Sequence, residues 1–181
     1  MLAFWQHGYE TTSISDLTAA MGITAPSIYT AFGDKKRLFL EAMRRYAGDP
    51  AVIAGSLAAA DSARDAMHQM LVGAAIAFTG ATTPRGCLLA SATASGPETS
   101  ADVRQAVADV RRGIADCLVA RIEQDISAGT LPVATNAVAL SDLVLAVVQG
   151  MSVLARDAVP RERLLALAEL AMAGWPDRNS D

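Results

Sequence analysis

The sequence of 181 residues contains few cysteines, few aromatic residues and few charges. Its two cysteines, Cys87 and Cys117, lie far apart, which excludes both a disulfide framework and a zinc site of closely spaced thiolates. Charged residues make up only 19% of the chain and hydrophobic residues 52%, which excludes a disordered protein. So large an apolar share predicts an oligomer interface or an internal cavity, because a monomer has to bury the apolar surface that it does not expose.

Catalytic, metal-binding and targeting signals are also missing. There is no Gly-x-Ser-x-Gly motif, no phosphate-binding loop and no HExxH, so we expect no enzyme activity and no cofactor. His7 and His68 have no partner at ligand spacing, so no metal site is expected. The first residues lack a basic, apolar leader, and polar residues and glycines interrupt the uncharged run 66–84. The chain is therefore predicted to be cytoplasmic, without a membrane span.

Helical patterns dominate what is present, so the predicted fold class is all-α. We expect helices over residues 1–7, 14–21, 24–32, 34–47, 50–60, 61–79, 86–94, 136–157 and 160–174, and a longer one from the capping box at 95–98 past residue 126. The Gly-Asp-Pro break at 48–50 predicts domains at 1–47 and 48–181. The first domain carries five cations and four acids (+1), the second ten and fifteen (−5).

A helix-turn-helix is predicted around the segment GITAPSIYTAFGDKKRL, residues 22–38. Gly22 ends one short helix, and Ile28 and Phe32 give the next helix a buried side. Its other side is small enough to enter the major groove of DNA, where a recognition helix reads base edges with its first turns. The small residues are Ala25, Pro26, Ser27 and Thr30.

Phosphate contacts are expected next to this helix. The hydroxyl of Tyr29 can reach a phosphate, and Lys35 and Lys36 at the start of the following helix can neutralise others. Each feature has an ordinary alternative, in which the aromatics are core and the cationic run 35–37 is a solvated helix face. The order and spacing of all of them together favour DNA binding.

Residues 2–47 resemble the DNA-binding domain of TetR-type transcriptional repressors. The family pattern is met by Gly8-Tyr9, Thr12-Ser13, Gly22, Tyr29, Phe32 and Lys35. The resemblance implies that Ala25 and Pro26 lie where sequence is read. The complete predicted DNA-binding set is Thr12, Ser13, Thr24, Ala25, Pro26, Ser27, Tyr29, Thr30, Lys35 and Lys36. Residues 85–89, Arg-Gly-Cys-Leu-Leu, are similar to one branch of the family.

The larger C-terminal half is expected to form a homodimer through its last two helices, which carry broad apolar faces. A two-fold dimer would present two recognition helices to a palindromic operator. The alternative is that these faces are buried within one chain. The candidate interface residues are Leu143, Val144, Val147, Val148, Gly150, Met151, Leu154, Leu164, Leu167, Ala168 and Ala171.

The resemblance also implies a cavity for a small-molecule effector in the C-terminal half. Candidate lining residues are Met67, Met70, Leu71, Ala74, Phe78, Cys87, Leu88, Ser91, Ile114, Cys117 and Met151. Methionine suits an adaptable pocket, but apolar residues at helical spacing are also ordinary core. Cys87 could sense oxidants or a metal, or it could be a small buried hydrophobe.

The function predicted is a ligand-responsive repressor that binds its operator as a dimer and is released by an unknown effector. An effector that prefers a form with a different separation of the recognition helices would shift the population away from DNA. A second hypothesis stays open, because the family pattern usually begins upstream of Leu2. It is a helical ligand-binding dimer that has lost specific DNA binding.

Overall fold

The computed structural model describes residues 1–92 and 100–176. Within these two ranges the chain forms ten helices and no strand, which confirms the all-α class. The helices are α1 (Leu2–His7), α2 (Ile14–Met21), α3 (Ala25–Phe32), α4 (Lys35–Ala47), α5 (Pro50–Ala58), α6 (Ala63–Phe78), α7 (Leu88–Ser91), α8 (Ala101–Ser127), α9 (Ala137–Arg156) and α10 (Arg161–Ala173).

The first helix ends follow from local chemistry. At the start of α2 the Ser13 hydroxyl accepts the backbone N–H of Asp16 at 3.1 Å, and the Asp16 carboxylate accepts the N–H of Ser13 at 2.8 Å. This is the predicted capping box. Gly22 ends α2 in the left-handed region, at φ 66° and ψ 27°, where a residue without a Cβ is favoured.

Helix α7 is shorter than the predicted helix over 86–94. Gly86 has φ 81° and Cys87 is extended, so the helix cannot begin before Leu88. Gly86 lies so close to α9 that a Cβ there would come within 2.8 Å of the Ser152 carbonyl oxygen. The predicted capping box at 95–98 falls outside the described residues.

Four short helices at the N-terminus pack around one small core. Phe4, Leu17, Ile28 and Phe39 are almost completely buried, and the rings of Phe4 and Phe39 meet edge to face at 5.2 Å. Each of these side chains comes from a different helix of α1–α4. The core therefore fixes α3 against α2 and α4 and leaves the opposite side of α3 exposed.

The remaining helices form a larger bundle. Helix α6 packs against α9 and α10, and α8 packs against α5 and α9. In the described ranges α9 alone has the length and hydropathy of a membrane span. Its Val144, Val148 and Met151 are buried, so one face of α9 belongs to the core of the bundle and another remains exposed.

A buried ion pair closes the corner between α5 and α6. Arg121 of α8 pairs with Asp125 and donates to the carbonyl oxygens of Leu57 at 3.1 Å and Ala60 at 3.2 Å. Asp125 also accepts the backbone N–H of Ala63, at the start of α6, at 2.7 Å. The two side chains thus satisfy backbone groups at the end of one helix and the beginning of the next.

The N-terminal helices touch the larger bundle at a second place besides α4. The indole N–H of Trp5 donates to the Gly86 carbonyl oxygen at 2.9 Å, and Arg156 of α9 donates to the Trp5 carbonyl oxygen at 3.0 Å. Tyr46 packs edge to face on Trp5 and donates its hydroxyl to the Cys87 sulfur at 3.4 Å. Burial, together with the neighbouring thiol, raises the pKa of Tyr46.

Candidate functional site

Helix α3 presents a small polar surface to solvent. Ile28 is fully buried and Phe32 half-buried, as their spacing predicts. The exposed side carries Pro26, Ser27, Tyr29 and Thr30, and Tyr29 is 49% exposed although it is aromatic. Ala25 is half-buried at the first turn. An exposed tyrosine hydroxyl among small side chains is suited to contact a phosphate while the helix approaches base edges.

The first turn of α3 keeps its backbone donors available. Thr24 is the N-cap residue, but its side chain makes no capping hydrogen bond to the backbone. Its hydroxyl lies 2.9 Å from the Ser27 hydroxyl instead. The free N–H groups and the positive end of the helix dipole therefore face solvent, where a phosphate can approach.

Ser13 and Thr12 hold the preceding turn together. Ser13 is exposed, but its hydroxyl is engaged in the α2 cap, and its hydrogen bonds lower the pKa of Asp16. Thr12 is fully buried and donates to the Gly8 carbonyl oxygen at 2.6 Å. The structure thus gives the Thr12 side chain a place in the core, and not the DNA-facing position that was predicted, because its hydroxyl satisfies the end of α1.

Lys35 is also tied to this turn. Its ammonium donates to the carbonyl oxygens of Tyr9 at 2.9 Å and Thr12 at 3.0 Å, and lies 4.4 Å from the centre of the Tyr9 ring. The charge remains half-exposed beside α3. Lys35 therefore stabilises the loop between α1 and α2 and places a positive charge at the start of α4.

The next cation, Lys36, forms an ion pair with Asp102 at the start of α8. The hydrogen bond from Lys36 lowers the pKa of the Asp102 carboxyl. Both side chains are substantially exposed, at 41% and 52%. Lys36 thus faces a carboxylate in this structure, at the position where a phosphate contact was predicted.

Arg37 completes the cationic run and was not among the predicted site residues. It is exposed, and its side chain lies along Gly33, where an added Cβ would come within 3.1 Å of the guanidinium. The signal was present in the sequence, since the run Lys-Lys-Arg includes it. The three cations and the exposed face of α3 form one continuous surface, here called the α3–α4 surface (residues 24–30 and 35–37).

Comparison with known proteins places this geometry in a family. Residues 3–42 match the profile of bacterial regulatory proteins of the tetR family, and residues 68–168 match the tetracyclin repressor-like C-terminal domain. The chain belongs to the TetR family. It is a DNA-binding transcriptional regulator, as the resemblance predicts. The two matches lie on either side of the predicted boundary at 47/48, which stays a prediction.

Individual TetR relatives match over almost the whole chain. The HTH-type transcriptional repressor ComR of Escherichia coli is 29% identical over 98% of this chain and 85% of its own length. The transcriptional repressor BdcR of the same organism is 27% identical over 94% of this chain and 81% of its own. A cysteine-substituted form of the TetR regulator CifR, solved in complex with 26-bp operator DNA, is 38% identical with a TM-score of 0.91. That alignment covers 97% of this chain and 92% of the CifR chain.

The TetR effector cavity was predicted in a part of the bundle that is solid. Six of the predicted lining residues are packed core, because neighbouring helices fill the space in front of them: Met67, Leu71, Phe78, Cys87, Leu88 and Met151. Ala74 and Ser91 are half-buried. Of the predicted set, Ile114 and Cys117 line a cavity of about 320 Å³ between α4, α5 and α8. Met70 lines a more open groove beside it, together with Ile114.

The predicted dimer residues divide into two groups. Val144, Val148, Met151, Leu164 and Ala168 are buried within the protomer, because α9 and α10 pack on α6 and on each other. Leu143, Gly150 and Leu154 are exposed, and Val147, Leu167 and Ala171 are half-buried. Sequence reasoning missed Val153 and Leu170, which are 57% and 72% exposed. Apolar periodicity identified the two helices but not which apolar face of each is free.

The cysteines show no metal-binding arrangement. Cys87 is buried under Tyr46, and Cys117 is half-buried in the wall of the 320 Å³ cavity. Across residues 1–92 and 100–176 no three His, Cys, Asp or Glu side chains come close enough to hold a metal ion.

Proposed function

We propose that this TetR-family protein is a dimeric repressor that binds a palindromic operator in the cytoplasm and is released by a small-molecule effector. The observation that carries the proposal is the α3–α4 surface. It combines a slim helix, an exposed Tyr29 hydroxyl, open N–H groups and three adjacent cations. ComR and BdcR are repressors, and the CifR structure contains operator DNA, which supports the same role here.

Phosphate contacts are assigned to Tyr29, Arg37 and the start of α3. Base reading is assigned to the exposed side chains of the first turns of α3, Pro26 and Ser27 among them, since these precede the positions that turn back to the core. Lys35 contributes through its charge and through the loop that it holds.

The dimer is assigned to the exposed faces of α9 and α10. On α9, Leu143, Gly150 and Val153 follow one another at helical spacing, and Leu170 extends this surface on α10. A surface that exposes large aliphatic side chains next to a glycine permits close helix approach between two copies. A two-fold axis through it would place two α3 helices for half-sites about 34–36 Å apart.

The experiment is selection of binding sites from random DNA duplexes, followed by fluorescence anisotropy of the best site at several salt concentrations. A palindrome with half-sites about one helical turn apart is expected. Tyr29→Phe removes one hydroxyl and should weaken binding about tenfold, in line with a hydrogen bond to a charged group. Arg37→Ala should weaken binding to all sequences and reduce the salt slope by about 0.9.

Arg112→Ala is the matched control, since Arg112 is an exposed cation on α8 that pairs with Asp109, away from α3. It should leave the affinity and the salt slope unchanged. If the selection enriches no sequence and both arginine variants behave alike, the repressor assignment fails. The alternative, a helical ligand-binding dimer that has lost specific DNA binding, then takes its place.

A further inference from the structure

The cavity of about 320 Å³ lies where the helix that carries the cations meets the larger bundle. Its walls come from the end of α4, the start of α5 and the middle of α8, and include Ala47, Ile53, Val110, Gly113, Ile114 and Cys117. The space is therefore bounded by parts of both predicted domains. At roughly 30 Å³ for each water-sized volume, it holds about ten such volumes.

Gly113 leaves part of this space empty. It stands in the middle of the 27-residue helix α8, where alanine would favour the helix more. An added Cβ at Gly113 would meet no atom within 4 Å. The helix could thus carry a larger residue without a clash, and the missing side chain is one reason why the cavity exists.

The chemistry of the walls favours an apolar occupant. Arg44 and Asp109 are the charged residues among those that line the cavity. Each is already engaged on its own helix, Arg44 with Glu41 at 3.2 Å and Asp109 with Arg112. An ionised ligand would have to break one of these pairs, whereas an uncharged one meets aliphatic side chains and the Cys117 sulfur.

The position of the cavity couples it to α4. Ala47 is the last residue of α4, and Gly48 after it has φ 78°, so the chain turns there into α5. At the opposite end of α4, Lys36 is paired with Asp102 of α8. A molecule between Ala47 and α8 therefore pushes on one end of a helix whose other end is held and carries Lys35 and Arg37.

We propose that this cavity binds an uncharged, mostly apolar molecule of about ten non-hydrogen atoms, such as a small aromatic compound. Its binding separates the end of α4 from α8 and changes the position of the α3–α4 surface. The ligand class stands on the cavity alone, and its effect on DNA rests on the proposed function.

The probe is 1-naphthol, with naphthalene-1-sulfonate as its charged counterpart, and binding is measured by titration calorimetry on the full chain. One 1-naphthol is expected to bind per chain, with naphthalene-1-sulfonate at least tenfold weaker. Gly113→Met extends a side chain into the cavity and should weaken 1-naphthol binding at least tenfold. Gly73→Met is the control, because Gly73 is also a helical glycine with free space around it but does not line this cavity.

Circular dichroism and thermal unfolding establish that both variants are folded. Equal 1-naphthol binding by wild type, Gly113→Met and Gly73→Met would overturn the site, as would the absence of binding to wild type. Anisotropy with the selected operator is measured separately and should show at least tenfold weaker DNA binding when 1-naphthol is present. DNA binding that ignores a bound 1-naphthol refutes the coupling and leaves the repressor role intact. A chain that binds 1-naphthol at Gly113 but no operator refutes the repressor role and leaves the site intact.

Discussion

The buried pair Arg121–Asp125 offers the most demanding test of the packing described here. Their side chains are only 8% and 10% exposed, and between them they satisfy Leu57, Ala60 and Ala63 of the α5–α6 corner. Asp125→Ala leaves a buried guanidinium without its counter-ion and a helix N-terminus without an acceptor. Breaking a buried pair in this way costs about 3–5 kcal/mol.

That cost is a large part of the free energy of unfolding, which is about 5–15 kcal/mol for a typical domain. In a chain of this size it lowers Tm by roughly 6–20 °C, at 2–4 °C for each kcal/mol. The double variant Arg121→Met/Asp125→Leu removes both charges and keeps apolar volume. It should recover most of the loss, because no uncompensated charge remains.

Guanidinium unfolding followed by circular dichroism measures both variants, with the protein concentration held fixed because dimerisation adds to apparent stability. Asp109→Ala is the control. It removes one partner of an exposed pair on the same helix, and such pairs contribute about 0–1 kcal/mol. If Asp125→Ala falls within about 1 kcal/mol of wild type, a threshold set by that range for exposed pairs, the pair does not hold the corner. A double variant no more stable than Asp125→Ala would show that the backbone hydrogen bonds, and not the unpaired charge, set the cost.

Three further changes test other parts of the structure. Asp102→Asn should raise operator affinity a few-fold in anisotropy titrations, since Lys36 is then free to neutralise a phosphate. Leu170→Arg should convert the dimer to monomer in sedimentation velocity, because it places a charge in the proposed interface of an apolar side chain that is 72% exposed. Ser13→Ala removes the α2 cap and should lower the free energy of unfolding by about 0.5–2 kcal/mol, measured by guanidinium unfolding.

Each of these outcomes has a clear opposite. Unchanged or weaker DNA binding by Asp102→Asn would mean that the ion pair positions Lys36 instead of competing for it. Val133→Arg is the control for the dimer, because Val133 is 93% exposed in the loop before α9. A dimer that survives Leu170→Arg, or dissociates equally with Val133→Arg, would place the interface elsewhere.

Ser13→Ala has a pH signature as well. The cap lowers the pKa of Asp16, so its contribution is present at neutral pH and is lost as the pH falls through the folded-state value. The stability difference between wild type and variant should therefore shrink in acid. A difference independent of pH would show that the Ser13 hydroxyl acts without the Asp16 carboxylate.

The N-terminal helices could be predicted because their signals are local. Ser13, Gly22 and Asp34 each act on backbone groups a few residues away, and all three end or begin a helix in the structure. The buried side of α3 followed from the spacing of Ile28 and Phe32 in the same way.

The contacts made by individual side chains could not be predicted, because they depend on distant elements. Lys36 meets Asp102 across 66 positions of sequence, and Met67 faces filled space only because α9 and α10 pack over α6. Helical periodicity identifies a buried face, but it does not distinguish a face that meets side chains from one that meets a cavity. The empty space in front of Gly113 likewise depends on where α4 and α5 end.

The bonds around Trp5 restrict how the DNA-reading helices can move. A body attached to a scaffold at one point can tilt in any direction, whereas attachment at two points leaves rotation about the line that joins them. The N-terminal helices have two such points, the α4–α5 turn at Gly48 and the contact of Trp5 with Gly86 and Arg156. If both persist, the two copies of α3 in a dimer swing along a single arc. An effector then needs only to set one angle, and both half-sites lose their match together.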